Sequence, residues 1–597
     1  MEDAAIAKIV FKLTVEDIRP KVCTHFNLKI VHLLDAPPIT IPDQGTVVGT
    51  YLKMFRTQNI KAYLGIPFAQ APRFAPPEIG NLKWPGVRNA TSYGPNCWQK
   101  SSKNLDMNTK IIFDLLSNQK SNLDQNIYDE NCLNLNIFLP DGFAGSTGFA
   151  VIVWIHAGDF SYGSSTTIDP FHLVFKQNVI VVTIAYRLNI FGFLSTGDGE
   201  SPGNYGLMDQ SAGLYWVRKN IHLFGGDPNK ITIMGHSAGA ISVGLHLTSR
   251  EWSKDAFQKA VMMSGNHLAK DVVKNPTEYA KTLDMIANVF DCPNKPTYLL
   301  IQCLKRHDAK TIIDNMPPIE WGPVIDGGLS NTSLPFIETE PIMSFKVGNY
   351  HKVPLLIGLT DMEDALLIIE NDNTNKITSE DFYKVISDIA LNDLKKLYEP
   401  EFESVCSHSQ IVIDSIDYIY DVRNGGDVLN SFVNFYTDKM YAAPTCQLAD
   451  ILTESESIYT YFFNIKPKTK FYELPTWVSV PKFYDQIFIW GVPYMNNYEL
   501  VKEWNYTDKK ISDIVMTLWA NFAKTSNPTI SNVYVKWSPY NKLNRTFLNI
   551  NDNFEYKTLN NIHRISFWNE YYPKILNFTA ECCSLNSNVL DIQEIDV

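Results

Sequence analysis

The chain has 597 residues, 45% of them hydrophobic and 12% aromatic, which is enough to bury a large core. Its net charge of −12 and the lack of a long basic run argue against binding to nucleic acid or to an anionic membrane surface. No stretch approaches the roughly 18 apolar residues of a membrane-spanning helix, and the polar, acidic C-terminus carries no lipid-anchor signal.

Strand and helix patterns alternate along the chain. The alternating run Thr46–Leu52 predicts part of an antiparallel edge sheet. Two continuous β-branched runs, Ala150–Ile155 and Val179–Ala185, predict central strands buried on both faces of a mostly parallel sheet. Helical spacing over Asn204–Asn220 leads to a further short apolar strand, Ile231–Met234. This alternation predicts an α/β fold with right-handed crossovers and, since no linker or repeat interrupts it, one large domain.

A G-x-S-x-G motif, Gly235-His236-Ser237-Ala238-Gly239, follows that last strand and precedes a helix-like run, Ala240–Leu247. A serine on such a strand-to-helix turn exposes its hydroxyl, and the flanking glycines let the turn close without a Cβ clash. The bare motif is common by chance, but here both flanking elements fit. Ser237 is predicted to be a nucleophile, which needs a base within hydrogen-bond reach because a neutral hydroxyl reacts poorly.

Eight further blocks accompany this elbow in order, and with them the chain resembles the type-B carboxylesterases, the family of carboxylesterases, cholinesterases and their non-catalytic adhesion relatives. The blocks are AYLGIPFAQAPRFAPP (Ala62–Pro77), ENCLNLN (Glu130–Asn136), VTIAYRLNIFGFLSTGD (Val182–Asp198), GNYGLMDQ (Gly203–Gln210), WGPVIDG (Trp321–Gly327), VPLLIG (Val353–Gly358), NFAKTSNP (Asn521–Pro528) and FWNEYYP (Phe567–Pro573).

The resemblance implies an α/β-hydrolase fold, in which a large, mostly parallel sheet is flanked by helices and a lid covers an active-site gorge. Residues 371–435 would form part of that lid. We expect a single domain over residues 39–575, an N-terminal extension over residues 1–38 and a polar tail over residues 576–597.

The resemblance also implies the acid of a catalytic triad, whose order in this fold is serine, acid, histidine. Glu363 follows the VPLLIG strand where the family has its glutamate. Asp361 and Asp364 are competing loop carboxylates, and Asp364 stands where the family has a glycine.

The family's histidine precedes by nine residues the glycine that closes an apolar strand, here interpreted as QIFIWG ending at Gly491. That position is Lys482, and no histidine lies between His408 and His563. To act as a base, Lys482 would need its pKa lowered from about 10.4 to about 7, at roughly 4 to 5 kcal/mol, and a carboxylate at Glu363 would oppose that shift. An ion pair between the two, with the serine left unactivated, is the simpler hypothesis.

The oxyanion loop is implied at His156–Phe160, with the N–H groups of Gly158, Asp159 and Ala238 as donors. Asp159 departs from the family's glycine run, and its carboxylate would repel the negative charge that the site must stabilise. It would also place a side chain where glycine is favoured. The alternative is that the Asp159 carboxylate holds a water or points into solvent. His156 is expected to be structural, and His236 is not expected to reach the serine, because neighbouring side chains diverge on a tight elbow.

The resemblance implies two disulfides, Cys97–Cys132 beside the gorge and Cys292–Cys303, with two free buried thiols as the alternative for the first pair. The remaining cysteines have no assignable pairing, and the odd total of nine leaves at least one thiol free or intermolecular. These cysteines are Cys23, Cys406, Cys446, Cys582 and Cys583. The cholinesterases' choline-binding tryptophan corresponds to Asn122 here, so no choline site is expected.

Signals for the cellular compartment conflict. The cysteines and five N-x-S/T sequons predict a secreted glycoprotein. The sequons lie at Asn89, Asn331, Asn505, Asn544 and Asn577. Against this, Lys8 and Lys12 interrupt the apolar segment that a secretory signal would need, so residues 1–37 are interpreted as an alternative or wrongly assigned start.

Two hypotheses for the function follow. The first is a catalytically impaired homologue, a secreted binding or adhesion-type protein, for which Lys482, Asp159 and Asp364 argue. The second is an active serine carboxylic-ester hydrolase that forms an acyl-enzyme on Ser237, with Lys482 as base or with a histidine from a misplaced loop. Neither needs a metal or cofactor. The expected partner is a small ester or apolar ligand in a gorge, or a protein.

Overall fold

The computed structural model describes most of the chain. The described residues are 35–54, 59–80, 82–100, 107–117, 127–330, 334–371, 377–397, 408–420, 427–495, 500–530, 533–559 and 561–590. Asn122, Asn331, Cys23, Cys406 and most of the predicted N-terminal extension lie outside these ranges.

An 11-stranded sheet forms the centre of the molecule, and a 3-stranded sheet lies near the start of the described chain. The strands are β1 Ile39–Ile41, β2 Gly45–Val48, β3 Thr50–Lys53, β4 Asn59–Pro67, β5 Val87–Asn89, β6 Asn134–Pro140, β7 Phe149–Ile155, β8 Ile180–Ile184, β9 Gly226–His236, β10 Lys259–Met263, β11 Leu355–Thr360, β12 Ile458–Phe463, β13 Thr546–Ile550 and β14 Glu555–Thr558.

The helices flank this sheet and cover its ends. They are α1 Met107–Leu116, α2 Phe171–Gln177, α3 Asn189–Phe193, α4 Tyr205–Asn220, α5 Ala238–Thr248, α6 Ala280–Val289, α7 Thr297–Leu304, α8 Ala309–Asn315, α9 Pro341–Lys346, α10 Ala365–Asn371, α11 Ser379–Lys395, α12 Ser409–Tyr420, α13 Val428–Thr437, α14 Ala443–Leu452, α15 Tyr484–Ile489, α16 Tyr506–Thr525, α17 Ile562–Ser566 and α18 Tyr572–Leu590. Within the described ranges, none of them combines the length and apolarity needed to span a bilayer.

The large sheet runs in the order β14-β13-β12-β11-β10-β9-β7-β8-β6-β4-β3. Its centre, from β8 to β13, is parallel, whereas both edges are antiparallel. Alternate residues of β7 enter separate apolar clusters, with Val151 in one and Ile152 in the other, so helices bury both faces. The predicted α/β-hydrolase architecture is confirmed.

The predicted antiparallel edge is present, since β2 pairs antiparallel with β1 and β3 pairs antiparallel with β4 at the edge of the large sheet. The run Thr46–Leu52 is divided between these two strands at Gly49, which lies so close to the Ala62 carbonyl that a Cβ there would overlap it.

One local prediction is wrong. The apolar run QIFIWG is the end of helix α15 and not a strand. A short apolar run cannot distinguish helix from strand by periodicity. The Trp490 indole N–H donates to the side-chain oxygen of Gln486, four residues earlier, at 2.7 Å, and Gly491 then adopts a left-handed backbone conformation. Both features are typical of the C-terminal end of a helix.

The proposed domain boundaries stay predictions. Helix α18 runs through residue 575, so the predicted start of the tail does not coincide with the end of an element.

A buried ion pair fixes the helix that leads to the nucleophile strand. Arg187, just after β8, donates from Nε and Nη2 to both carboxylate oxygens of Asp209 on α4, at 2.8 and 2.7 Å. Its remaining nitrogen reaches the Pro72 carbonyl at 2.7 Å, and Asp209 is fully buried. Bidentate geometry and the third bond satisfy the guanidinium in an apolar interior.

Replacing Arg187 with alanine should destabilise the protein by about 3 to 5 kcal/mol, because Asp209 would remain as a buried, uncompensated charge. The matched control is Lys310→Ala, which removes the exposed partner of Asp314 and should change stability by about 0.5 kcal/mol or less. Denaturant unfolding of both variants measures the difference. Equal effects would contradict this account.

Candidate active site

Ser237 occupies a strained turn between β9 and α5. Its backbone has φ 53° and ψ −121°, a region that residues with a Cβ avoid. A Cβ at Gly235 would overlap the Gly239 carbonyl, and one at Gly239 would overlap the carbonyl of Ile155. The turn is pinned to the sheet by a 2.9 Å bond from Ser237 N–H to Met263 O. The hydroxyl therefore stands at the carboxyl end of the parallel strands, as the sequence motif predicts.

The oxyanion loop follows β7 and has the backbone form of a glycine loop. Gly158 has φ 122° and Asp159 has φ 48°, so Asp159 is a non-glycine residue in a conformation that glycine favours. Ala238 opens helix α5, whose first N–H groups have no intrahelical acceptors. Gly158 and Asp159 thus lie on the loop after β7, and Ala238 lies in the first turn of α5 next to Ser237; their role as oxyanion donors stays a prediction.

The Asp159 side chain changes the electrostatics of this loop. Although its side chain is exposed to solvent, its Oδ1 accepts the hydrogen bond that Ser237 Oγ donates, at 3.5 Å. At that length the interaction is mainly one between the carboxylate charge and the hydroxyl dipole. The Ser237 hydroxyl thus faces a carboxylate on the loop where an oxyanion would be stabilised.

Glu363 follows β11 and is 1% exposed. Its Oε1 accepts from Thr360 N–H at 2.7 Å, and its own N–H donates to Thr437 Oγ1 at 3.2 Å. Beside these contacts, the nearby Ser264 hydroxyl favours the ionised form of the carboxyl. Burial raises the pKa of Glu363 to about 8, although the Lys482 ammonium opposes that rise. At neutral pH the carboxyl is therefore mostly protonated, whereas a triad acid holds its histidine as an ionised acceptor.

Lys482 lies beside Glu363 along the backbone, where its N–H donates to the Glu363 carbonyl at 3.3 Å. Its side chain turns elsewhere: Nζ donates to Tyr441 OH at 2.9 Å and lies 4.0 Å from Asp364 Oδ1. Tyr441 OH in turn donates to that same oxygen at 2.8 Å. The hypothesis of an ion pair between Lys482 and Glu363 is therefore wrong, because Glu363 turns inward to Thr360 while Asp364 faces the ammonium.

Tyr441 was not predicted from the sequence. It lies in a short π-helix, Asp438–Ala442, between α13 and α14, and carries no motif. Burial and the neighbouring Asp364 raise the pKa of Tyr441 well above its usual value, so the phenol keeps its proton. The Tyr441 hydroxyl therefore links the Lys482 ammonium to the Asp364 carboxylate and does not act as a base.

No histidine hydrogen-bonds to Ser237 Oγ within the described part of the chain. His236 is fully buried, stacks on Phe483 with ring centroids 4.5 Å apart, and its Nε2 lies 3.8 Å from Asp485 Oδ1. Burial lowers the pKa of His236 well below its usual value.

His156 is structural, as expected. Its ring stacks on Tyr186 and its Nδ1 contacts the Ala157 carbonyl at 2.8 Å. Burial lowers the pKa of His156 to about 4.

Both predicted disulfides are present, Cys97–Cys132 and Cys292–Cys303, which excludes free thiols at the first pair. Cys446 and Cys582 are free thiols. Among the described residues, one group of potential metal ligands lies close together, Cys292, Cys303 and His307, and it is remote in sequence from the residues around Ser237.

Comparison with known proteins supports the resemblance. The sequence profile described as "Carboxylesterase family" matches residues 35–568. The chain is 30% identical to carboxylesterase 1E of Mus musculus over 560 residues, which cover 90% of this chain and 94% of that protein. It is 29% identical to the acetylcholinesterase of Bungarus fasciatus over 553 residues, or 87% and 84% of the two chains.

Glu363→Gln should remove a pH dependence of stability. Because the pKa of Glu363 rises from 4.5 to about 8 on folding, the native state holds this proton more tightly. Its contribution to stability is full below pH 4.5 and is lost as pH rises through about 8. The apparent Tm of wild type should therefore fall relative to that of the uncharged, isosteric variant between pH 5 and 9. Exposed Glu338→Gln is the control, and parallel curves for Glu363→Gln and wild type would refute the assignment.

Proposed function

This chain belongs to the carboxylesterase family, and we propose that within it the protein is a catalytically impaired, secreted homologue that uses the hydrolase scaffold for binding. The observation that carries the proposal is the set of groups around Ser237. The hydroxyl faces the Asp159 carboxylate, and an ammonium held by Tyr441 and Asp364 stands at the histidine's position in the sequence.

Acyl transfer needs an acceptor for the serine proton. An ammonium has three donors and no acceptor, and Lys482 Nζ already donates to Tyr441 OH beside the Asp364 carboxylate. In serine hydrolases, loss of the base lowers turnover by about 10⁶-fold and leaves roughly 10³-fold over water. We therefore expect at most residual esterase activity.

The second obstacle is the Asp159 carboxylate. Two negative charges about 4 Å apart repel by roughly 1 kcal/mol in water and about 4 kcal/mol at the effective dielectric of a protein surface. That penalty would apply to the tetrahedral intermediate and not to the neutral ester. For comparison, removing one oxyanion donor from such a site costs about 10² to 10³ in rate.

An active serine ester hydrolase is the second candidate, and the backbone favours it. The elbow keeps a positive φ at Ser237 and the loop keeps one at Gly158, strain of order 1 to 3 kcal/mol per residue that is typical of functional sites. In this alternative an acyl-enzyme forms on Ser237 with a base that the geometry does not supply. The ligand of either form is a small ester or apolar molecule in a gorge, or a protein partner.

A p-nitrophenyl ester assay separates the two candidates. Wild type should show no turnover above Ser237→Ala. Lys482→His should raise turnover by one to two orders of magnitude, and Lys482→His with Asp159→Gly by several orders, because the pair restores an acceptor and removes the repelling charge.

The control is Lys468→His, which introduces an imidazole at an exposed lysine and should leave turnover unchanged. Wild-type turnover at ordinary esterase rates, abolished by Ser237→Ala, would end the proposal of impairment. Unchanged esterase turnover in Lys482→His and in its combination with Asp159→Gly would mean that the site lacks more than the base.

Secretion is proposed on two features. Two disulfides cross-link the chain, and four of the five sequon asparagines are exposed: Asn89, Asn505, Asn544 and Asn577. Asn505 uses its Oδ1 to cap α16 through Thr507 N–H at 2.8 Å, which leaves its amide nitrogen available for a glycan.

Protein isolated from the cells that make it should lose mass on treatment with an N-glycosidase. Peptide mapping should find a glycan at Asn505. In cells expressing the same chain, Thr507→Ala should abolish that glycan and Thr507→Ser should keep it. A fully unmodified chain would contradict secretion through a glycosylating compartment.

A further inference from the structure

A second chemical site lies away from Ser237, at the junction of α6, α7 and α8. Cys292 follows α6, Cys303 occupies the last turn of α7, and His307 follows four residues later. One ligand atom from each of these side chains lies within 4.8 Å of the others, and all three residues are partly exposed. We propose that this cluster is a redox-gated metal site, closed as a disulfide and able to bind zinc or a similar ion when reduced.

The donor set suits zinc. Zinc in proteins is bound tetrahedrally by thiolates at about 2.3 Å and imidazole nitrogens at about 2.0 to 2.1 Å, which places neighbouring ligand atoms roughly 3.5 to 3.8 Å apart. All three ligand atoms lie within 4.8 Å of one another, but the two sulfur atoms are bonded to each other and must separate on reduction to reach that spacing. Rotation of two cysteine side chains, with Cα atoms 5.9 Å apart, can supply the remaining adjustment.

The backbone holds the ligands in place without using the His307 ring. Arg73 Nη1 donates to the carbonyls of Leu304 and His307, at 3.1 and 2.6 Å, while Arg73 Nε pairs with Glu130 at 2.7 Å. The imidazole packs near Phe290, with ring centroids 5.4 Å apart. No hydrogen bond of its nitrogens is among those of the described residues. The imidazole ring of His307 is therefore held beside the two cysteines, and its nitrogens are available to bind a metal ion.

The chemistry needs a reductant of the thiol or phosphine class. A trialkylphosphine gives two electrons to the disulfide and becomes a phosphine oxide with oxygen from water, whose two protons form the two thiols. Zinc then displaces those two protons and binds two thiolates and one neutral imidazole nitrogen. The fourth position is left for water, as in open three-ligand zinc sites.

Metal binding at this site can be tested independently of esterase activity. The full-length protein, before and after phosphine reduction, is titrated with zinc in competition with a chromophoric chelator. It is also titrated with cobalt(II), whose thiolate charge-transfer absorption reports direct bonding. The oxidised protein should show no cobalt–thiolate band, and the reduced protein should bind one equivalent with that band.

Variants locate the binding. His307→Ala should weaken zinc binding at least tenfold, since even outer-shell changes cost 10- to 100-fold, and Cys303→Ser should abolish the cobalt band. His222→Ala, at an exposed histidine elsewhere, is the matched control and should bind as wild type. Because His307→Ala leaves every thiol in place, its effect distinguishes this site from other reduced cysteines.

Three results would overturn the proposal. One is a reduced wild type that binds no zinc. Another is unchanged affinity in both His307→Ala and Cys303→Ser. The third is loss of the near-ultraviolet circular dichroism signal on reduction, which would mean that the thiols belong to an unfolded chain.

Discussion

A hydroxyl can become a nucleophile only if a neighbouring lone pair takes its proton, and that constraint organises what is found around Ser237. The groups nearby are a carboxylate on the oxyanion loop, a buried carboxyl that stays largely protonated, and an ammonium that is already paired. Together they leave no neutral acceptor with a pKa near 7 in contact with the serine, whereas a working base needs a pKa close to the working pH.

The residues at positions 363, 364 and 482 are physically linked. With an imidazole at position 482, an ionised Glu363 would be stabilised as its acceptor. With a lysine there, the ammonium pairs with Asp364 and Tyr441 instead, and Glu363 is left buried with its carboxyl turned to Thr360 N–H. Burial then favours its neutral form. Asp364, in place of the family's glycine, is thus the counter-ion that makes Lys482 acceptable at this depth, since an unpaired ammonium would be costly to bury.

The sequence was sufficient for the architecture and for the strand-to-helix turn at Ser237. Ile231–Met234 and Ala150–Ile155 are continuous apolar runs, and such runs form the centre of a parallel sheet because both faces are buried. The sequence was insufficient where a helix and a strand share the same pattern of apolar residues. The run QIFIWG is apolar enough for either a buried strand or a buried helix, and its packing in the folded protein determines that it is a helix. The partner of Lys482 depended on the directions of two adjacent side chains, Glu363 and Asp364, and Tyr441 has no signature because its role arises from a tertiary contact.

Retention of the elbow does not by itself argue for activity. Gly235 and Gly239 are held by close contacts with backbone carbonyls of β7 and α5, so the strained turn is enforced by packing of the central sheet. Removing a charge or an imidazole from the loops leaves that packing intact, while a Cβ at either glycine would disrupt the core. The close packing of Gly235 and Gly239 therefore accounts for the turn at Ser237 without any catalytic role, whereas the loop residues that would supply the chemistry are not bound by that packing. In such a scaffold, the base and the oxyanion loop are better indicators of catalysis than the nucleophile motif.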